Sequence, residues 1–173
     1  MNKMIMRVGA CLTLALSVSA CAFTPHDVKL APIPPVAHSM IGSGTDVYFR
    51  FTDERDDSTV GHRSVATVGA KISAPNLVPF VEQALRQGLQ DKGYHLVSDQ
   101  SAAAATATFR LRSFKFEIET GFWTGGQNAS AVLAVDGLRG QRTYTNVYRS
   151  ASEERILVVP GVDALDAQMN GVF

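Results

Sequence analysis

The first 21 residues constrain the fold of this chain most, because we expect them to form a segment that is separate from the folded domain. Lys3 and Arg7 precede an apolar stretch at residues 8–18, and the small residues Ser19 and Ala20 then lead to Cys21. A positive start, a short apolar stretch and a small-residue end are the layout of a cleaved secretory signal. The apolar stretch is also shorter than the roughly 20 residues that a transmembrane helix needs. We therefore expect cleavage after residue 20.

The cysteine at the expected cleavage site indicates a lipid anchor. Residues 18–21 resemble the lipobox of bacterial lipoproteins, in which the cysteine sulfur takes a diacylglycerol and the new amino terminus is acylated, as with palmitate. The resemblance implies lipidation of Cys21 and no cofactor beyond that covalent lipid. Two or more acyl chains anchor a protein stably in a bilayer. Ala22 follows the cysteine, and by resemblance to the sorting rule of enteric bacteria this favours the outer membrane, facing the periplasm.

Charge and cysteine content narrow the classes of partner. Removing 20 of the 173 residues leaves 153, and the loss of Lys3 and Arg7 leaves 14 basic against 16 acidic side chains, a formal net charge of −2. This balance gives no reason to expect a nucleic-acid partner. Cys11 leaves with the signal and Cys21 carries lipid, so we expect no disulfide and a domain that depends on an ordinary core.

The mature chain divides into a tether and one domain. Four prolines between residues 25 and 35, followed by glycines at positions 42 and 44, predict that residues 21–44 are a lipidated cysteine and a proline-rich tether. An alternative is that residues 28–31 lie along the domain as an edge strand. Residues 45–173 have the length of a single domain.

A helix and the strands around it are the clearest elements. Apolar residues recur at helical spacing from Leu77 to Leu89, with Asn76 as a candidate N-cap and Gly93 as a candidate stop. Strand formers at residues 47–51 and 94–97 flank this segment.

A long strand at residues 106–120 changes the phase of its apolar positions. Leu111 is apolar at an odd position, whereas Phe114 and Phe116 are apolar at even ones. A one-residue slip moves every side chain to the other face of a strand, so we expect a β-bulge near Arg112 and Ser113.

The end of the chain predicts a hairpin and a second helix. Residues 129–135 and 142–150 read as strands, and residues 136–140 read as the turn between them. A last helix is expected from Gly161, with Met169 on its apolar stripe. Together the elements predict an α+β fold, an antiparallel sheet of about four to five strands with two helices packed on one face.

Two pairs of aromatic residues are the candidate partner-binding sites. Phe122 and Trp123 lie in a glycine-rich connection between strands, where exposed aromatics commonly contact partners. The alternative is that both rings fold back over the core. Tyr144 and Tyr148 share one face of the last strand, and the alternative for this pair is packing under a helix.

The sequence contains no clear catalytic or metal-binding motif. Glu117 and Glu119 lie on one face of a strand, and paired carboxylates at such separations can cleave glycosidic bonds. Lys115 shares that face, which favours an exposed polar surface instead. The histidines are scattered and none has a partner at metal-ligand spacing.

Four segments together resemble a known family. These are residues 47–55, residues 61–63 (Gly-His-Arg), the helix with its Gly93-Tyr94 end, and residues 144–149. They are similar to the YajG-type bacterial lipoproteins over residues 45–173. The resemblance implies a lipoprotein of Gram-negative bacteria whose molecular function is not established, and it supplies no catalytic residues. The chain departs from the family at Phe173, where it stops while the last helix of its relatives continues for one or two turns, so we expect a short or truncated C-terminal helix.

These observations favour a non-enzymatic binding or adaptor module held at the membrane by its lipid, with an envelope protein or peptidoglycan as its further partner. Two alternatives stay open. One is a peptidoglycan hydrolase that uses Glu117 and Glu119. The other is a subunit of an envelope transport or assembly complex.

Overall fold

The computed structural model describes residues 25–31, 37–62, 70–120, 125–156 and 169–171, so the expected signal sequence and Cys21 lie outside the described residues. The described part contains eight β-strands, one α-helix and a short 3₁₀ helix at Gln100–Ala102. The bounds of the others are β1 His26–Asp27, β2 Asp46–Asp53, β3 Thr59–His62, β4 Lys71–Ser73, α1 Leu77–Asp91, β5 His95–Val97, β6 Ala105–Thr120, β7 Gly125–Arg139 and β8 Arg142–Ile156.

The strands form one mixed sheet. β2 pairs in parallel with β5 and β6, whereas β7 pairs antiparallel with both β6 and β8. The predicted antiparallel sheet of four to five strands under two helices is therefore wrong: the described part has eight strands in a mixed sheet and one complete α-helix. The alternation of apolar residues along a strand shows on which face each side chain lies. It does not show whether the strand runs parallel or antiparallel to its neighbours. Here α1 carries the chain back, so that β5 runs alongside β2 in the same direction.

The predicted second helix falls mostly outside the described residues. Met169 and Asn170 are helical, and Met169 is fully buried. The side chain of Asn170 fixes this short piece to the start of the domain: its oxygen accepts a hydrogen bond from the backbone N–H of Ala31 at 2.7 Å, and its amide donates to the carbonyl of Lys29 at 3.0 Å.

β6 is the central strand of the sheet. β7 follows one of its edges over the full length, while the other edge is shared by β2, which pairs with residues 105–111, and by β3, which pairs at Phe116. The register with β7 shifts between Leu111 and Ser113, so the predicted bulge is confirmed. Because of this shift Leu111, Phe114 and Phe116 face the same core.

The predicted first helix is confirmed as α1. It begins at Leu77, directly after Asn76, although the Asn76 side chain makes no capping hydrogen bond. Its end is set by Gly93, whose φ of +81° is a conformation that favours glycine. Leu77 and Val81 are buried against the sheet.

The β7–β8 hairpin is also confirmed, with longer strands and a shorter turn than expected. Arg139 pairs with Arg142, which leaves Gly140 and Gln141 as the turn. Gly140 has φ of +59°, as tight two-residue turns require. Asp136 and Gly137, which we expected in the turn, lie in β7 instead.

An edge strand is present in the proline-rich segment, slightly before the position considered. His26 and Asp27 pair in parallel with β4, and the N–H of Val28 donates to the carbonyl of Ser73 at 2.8 Å. Val28 is buried in the core cluster. This core lies on one face of the sheet, over the half of β6 that contains Phe114 and Phe116. Its other buried members include Val60, Ile72, Leu77, Leu111, Ala129 and Met169.

Candidate functional site

An open groove of about 630 Å³ lies between α1 and the β7–β8 hairpin, on the same face of the sheet as the core. We call it the helix–hairpin groove. Its lining is largely apolar, which is typical of ligand sites of this size. The lining residues are Thr45, Val47, Leu85, Leu89, Tyr94, Ala105, Thr106, Ala107, Phe109, Leu133, Val135, Gly137, Leu138, Arg139, Arg142, Thr143, Tyr144 and Tyr148.

Small residues keep the floor of the groove low. Ala107 on β6 pairs with Gly137 on β7, which pairs in turn with Tyr144 on β8. A Cβ atom built on Gly137 would meet the Cβ of Tyr144 at 3.6 Å and the carbonyl oxygen of Thr106 at 3.8 Å, ordinary contact distances. The absence of a side chain at Gly137 therefore keeps the floor low, and an added Cβ there would make ordinary contacts without a clash.

The helical wall is formed by Leu85, Leu89 and Tyr94, with Tyr94 just past the end of α1. A turn at residues 39–44 supports this end of the wall. Gly42 lies so close that a Cβ there would come within 2.6 Å of the Gly93 carbonyl carbon and 2.7 Å of the Tyr94 ring. The same turn exposes Met40 and Ile41, at 74% and 75% of their surface. The proline-rich segment thus ends against the wall of the groove.

Tyr144 and Tyr148 form the opposite rim. Both lie on the groove face of β8, and each is 50% exposed. Their hydroxyl oxygens are 2.6 Å apart, and the Asn146 amide donates to the Tyr144 oxygen at 3.1 Å. The hydrogen bonds with Tyr148 and Asn146 lower the pKa of Tyr144, while the hydrogen bond with Tyr144 raises the pKa of Tyr148. The two rings are therefore held together as one polar-edged rim.

Both charged residues that line the groove are arginines. Arg139 and Arg142 face each other across the two-residue turn at the tip of the hairpin, and both are exposed. Among the described residues neither has an acidic partner. Like charges directly opposite on neighbouring strands are destabilising, so this end of the groove is positively charged at a cost in stability.

The outer face of the same strands is polar and internally paired. Arg110 forms an ion pair with Asp136, which also accepts a hydrogen bond from the Thr145 hydroxyl at 2.9 Å. Glu54 lies 3.8 Å from Arg110 and 3.5 Å from Arg112. Arg110 and Arg112 on this face thus have acidic partners, whereas among the described residues Arg139 and Arg142 have none.

Of the remaining sequence-predicted site residues, the structure describes only the side chain of Glu117. Glu117 is exposed on the outer face, and the side chain of Glu119 lies outside the described residues. Phe122 and Trp123 also lie outside them. Among the residues that the structure does describe, no three His, Cys, Asp or Glu side chains come together as a metal site, and no helix is long and apolar enough to cross a membrane.

Comparison of the sequence with protein families identifies the chain. A model described as "Uncharacterized lipoprotein" (Lipoprotein_16, the YajG family) matches residues 32–173. The chain belongs to this lipoprotein family. The resemblance seen in the sequence is therefore confirmed, and a lipid-anchored protein of the cell envelope fits the family. The family description indicates no catalytic activity. No curated protein sequence matches the chain.

A search of solved structures found several that are similar to this chain. Protein XCC0632 from Xanthomonas campestris is 15% identical, with 86% of this chain and 87% of that chain covered and a TM-score of 0.47. Lipoprotein GNA1162 from Neisseria meningitidis is 7% identical, with 64% and 84% covered and a TM-score of 0.36.

Sequence reasoning placed Tyr144 and Tyr148 on one face but missed the groove that they border. Its other wall, Leu85 and Leu89, belongs to the periodic face of α1, which predicts burial and gives no sign that part of it stays open. Arg139 and Arg142 could have been found, since a two-residue turn between them would have placed the charges opposite each other.

Proposed function

We propose that this lipoprotein is anchored in the outer membrane through lipid on Cys21, faces the periplasm, and acts as a non-enzymatic binding or adaptor module. The helix–hairpin groove is its binding site. Palmitate or a related acyl group on Cys21 serves as the anchor, and no other cofactor takes part. An envelope protein or peptidoglycan is the partner that we expect at the membrane–wall boundary.

The observation that carries this proposal is the half-exposed rim of Tyr144 and Tyr148 above an open, apolar groove. Exposed tyrosines beside apolar pockets supply much of the binding energy at protein surfaces. Family membership supports the lipid anchor, since the matching proteins are lipoproteins. The groove also lies on a rigid sheet, which suits binding without rearrangement.

The test is photo-crosslinking in intact cells from an amino-acid probe at position 148, with the adducts identified by mass spectrometry. The matched control places the probe at Arg149, the next residue of β8, which is exposed on the outer face. A second probe at Trp123 tests the other aromatic candidate.

We expect adducts from position 148 that are absent from position 149. One dominant protein adduct supports an adaptor, and adducts to glycan or lipid support a ligand-binding module. Equal labelling from the two positions, or none from position 148, would overturn the groove as the site. Turnover of purified peptidoglycan that is abolished by Glu117→Gln would overturn the non-enzymatic function itself.

A further inference from the structure

We infer that the helix–hairpin groove binds an anionic amphiphile, with its apolar chain in the groove and its acidic head at Arg139 and Arg142. This inference rests on the proposed function, since it names the chemistry of the ligand for the same site. The head is a carboxylate or a phosphate, the acids that guanidinium groups bind with paired hydrogen bonds.

Apolar and charged residues are unevenly distributed along the groove. Leu133, Phe109 and Val135 line its inner part, and the only charges among the residues that line it are the two arginines at the hairpin tip. A ligand that matches this lining has one apolar end and one negative end.

The two arginines of the groove face each other across the hairpin. Arg139 and Arg142 lie directly opposite each other in the hairpin register, where their charges repel. By contrast, Arg110 on the outer face of β6 pairs with Asp136 and lies near Glu54. A bound acid placed between Arg139 and Arg142 would remove the repulsion and supply the missing partner.

The charged end of the groove lies at the same end of the sheet as the start of β2. Arg139 aligns with Ala105 of β6, which aligns with Val47 near the start of β2. The exposed residues Met40 and Ile41 lie at this end of the sheet, against Gly93 at the end of α1. Exposed apolar residues at the same end of a sheet as arginines are suited to an anionic lipid surface. The charged end of the groove is therefore the end best suited to meet a source of amphiphile.

The test is calorimetric titration of the mature chain carrying Cys21→Ser, so that no acyl group of its own competes. The probes are dodecanoate and its uncharged analogue dodecanol, both below their aggregation limits. We expect one dodecanoate per chain, a negative heat-capacity change from apolar burial, and weaker binding in high salt. Dodecanol should bind at least about tenfold more weakly, the difference that one charge-assisted pair supplies.

Three variants locate the site. Arg139→Gln combined with Arg142→Gln should weaken dodecanoate by about tenfold or more and leave dodecanol unchanged. Gly137→Val should weaken both probes, because it fills the floor. Arg149→Gln removes an exposed arginine from the outer face of the same strand and should change neither. Equal binding of the two probes by the wild-type chain, or no binding of either, would overturn the inference.

Vesicles distinguish the source of the amphiphile. Co-flotation with phosphatidylglycerol vesicles, but not with phosphatidylcholine vesicles, that is lost in the double arginine variant identifies a bilayer lipid. Dodecanoate binding without flotation identifies a free amphiphile. The two proposals fail separately. If neither probe binds and position 148 still gives one protein adduct in cells, the amphiphile is wrong and the adaptor stands. If dodecanoate binds but cells give no adduct, the ligand chemistry stands and the proposed function fails.

Discussion

The two halves of the β6–β7 ribbon have the same apolar face but differ in what covers it. Around Phe114 and Phe116, each only 2% exposed, the face is closed by Val28, Ile72 and the other members of the core cluster. Around Gly137 the same face is open, and the neighbouring Tyr144 is half exposed. One continuous pair of strands thus supports both a core and a groove.

The open half of this apolar face is not simply a part of the core that did not close. Leu133, Val135 and Phe109 provide apolar surface there, and the C-terminal half of α1 stands to one side of it. Each Å² of apolar surface left in water forgoes about 25 cal/mol of stabilisation. Sites that bind commonly retain such a cost because a filled site would lose its function. Substitutions in the closed half can therefore be compared directly with substitutions in the open half.

Phe114→Ala should have the largest effect, because it empties a fully enclosed position in the closed half. We expect it to lower the free energy of unfolding by about 3–5 kcal/mol. Tyr148→Ala, in the open half, should cost less than about 1 kcal/mol, since half of that ring is already in water. Urea unfolding with an unchanged slope measures both. Equal losses would mean that the two halves do not differ in packing.

Gly61→Ala tests the closed half at its backbone. A Cβ on Gly61 would lie 2.4 Å from the carbonyl oxygen of Phe116, so β3 would have to move away from β6. We expect a loss of about 1–3 kcal/mol, as overpacking typically causes. Gly88→Ala in α1 is the control, since nothing lies within 4 Å of its added Cβ. That substitution should instead stabilise the domain by about 0.5–1 kcal/mol. Equal effects of the two would contradict the close approach.

These contrasts also show what the sequence could predict. The period of α1, the stop at Gly93 and the bulge after Leu111 are local, so the spacing of apolar residues was enough to locate them. The parallel pairing of β2 with β5 and β6 joins residues far apart in sequence, and no local period records it. β1, β3 and β4 have only two to four residues, too few to show an alternation. The fold class was wrong for these two reasons.

The candidate site likewise has a part that the sequence could predict and a part that it could not. Tyr144 and Tyr148 could be assigned to one face because they lie on one strand at even spacing. The groove between them and Leu89 could not be predicted, since it depends on where α1 crosses a sheet of unknown strand order. Glu117 was predicted to lie on an exposed polar face as the alternative to catalysis, and it is exposed.

Gly137→Val fills the open half without disturbing the closed one. Because its Cβ meets only ordinary contacts and valine favours strands, we expect the free energy of unfolding to rise by about 0.5–1 kcal/mol. Thermal unfolding measures the change, and Gly140→Val is the control, since the φ of +59° at Gly140 should make that substitution destabilising. A loss from Gly137→Val as large as that from Gly61→Ala would mean that the floor is as tightly packed as the core.

Arg139→Thr should change the free energy of unfolding least. Whether it stabilises or destabilises the domain is nevertheless the most informative result. The substitution removes the repulsion from Arg142 and adds a residue that favours strands, so we expect stabilisation of about 0.2–1 kcal/mol at low salt. The gain should shrink as salt screens the exposed charges. Arg110→Thr is the control, because it breaks the pair with Asp136 and should destabilise. Stabilisation at one arginine and loss at the other would show that the hairpin tip keeps an unfavourable charge pair, as a site for an absent acid requires. Loss at both would mean that Arg139 already has a stabilising partner in the free protein, and the charge argument for the open half would fail.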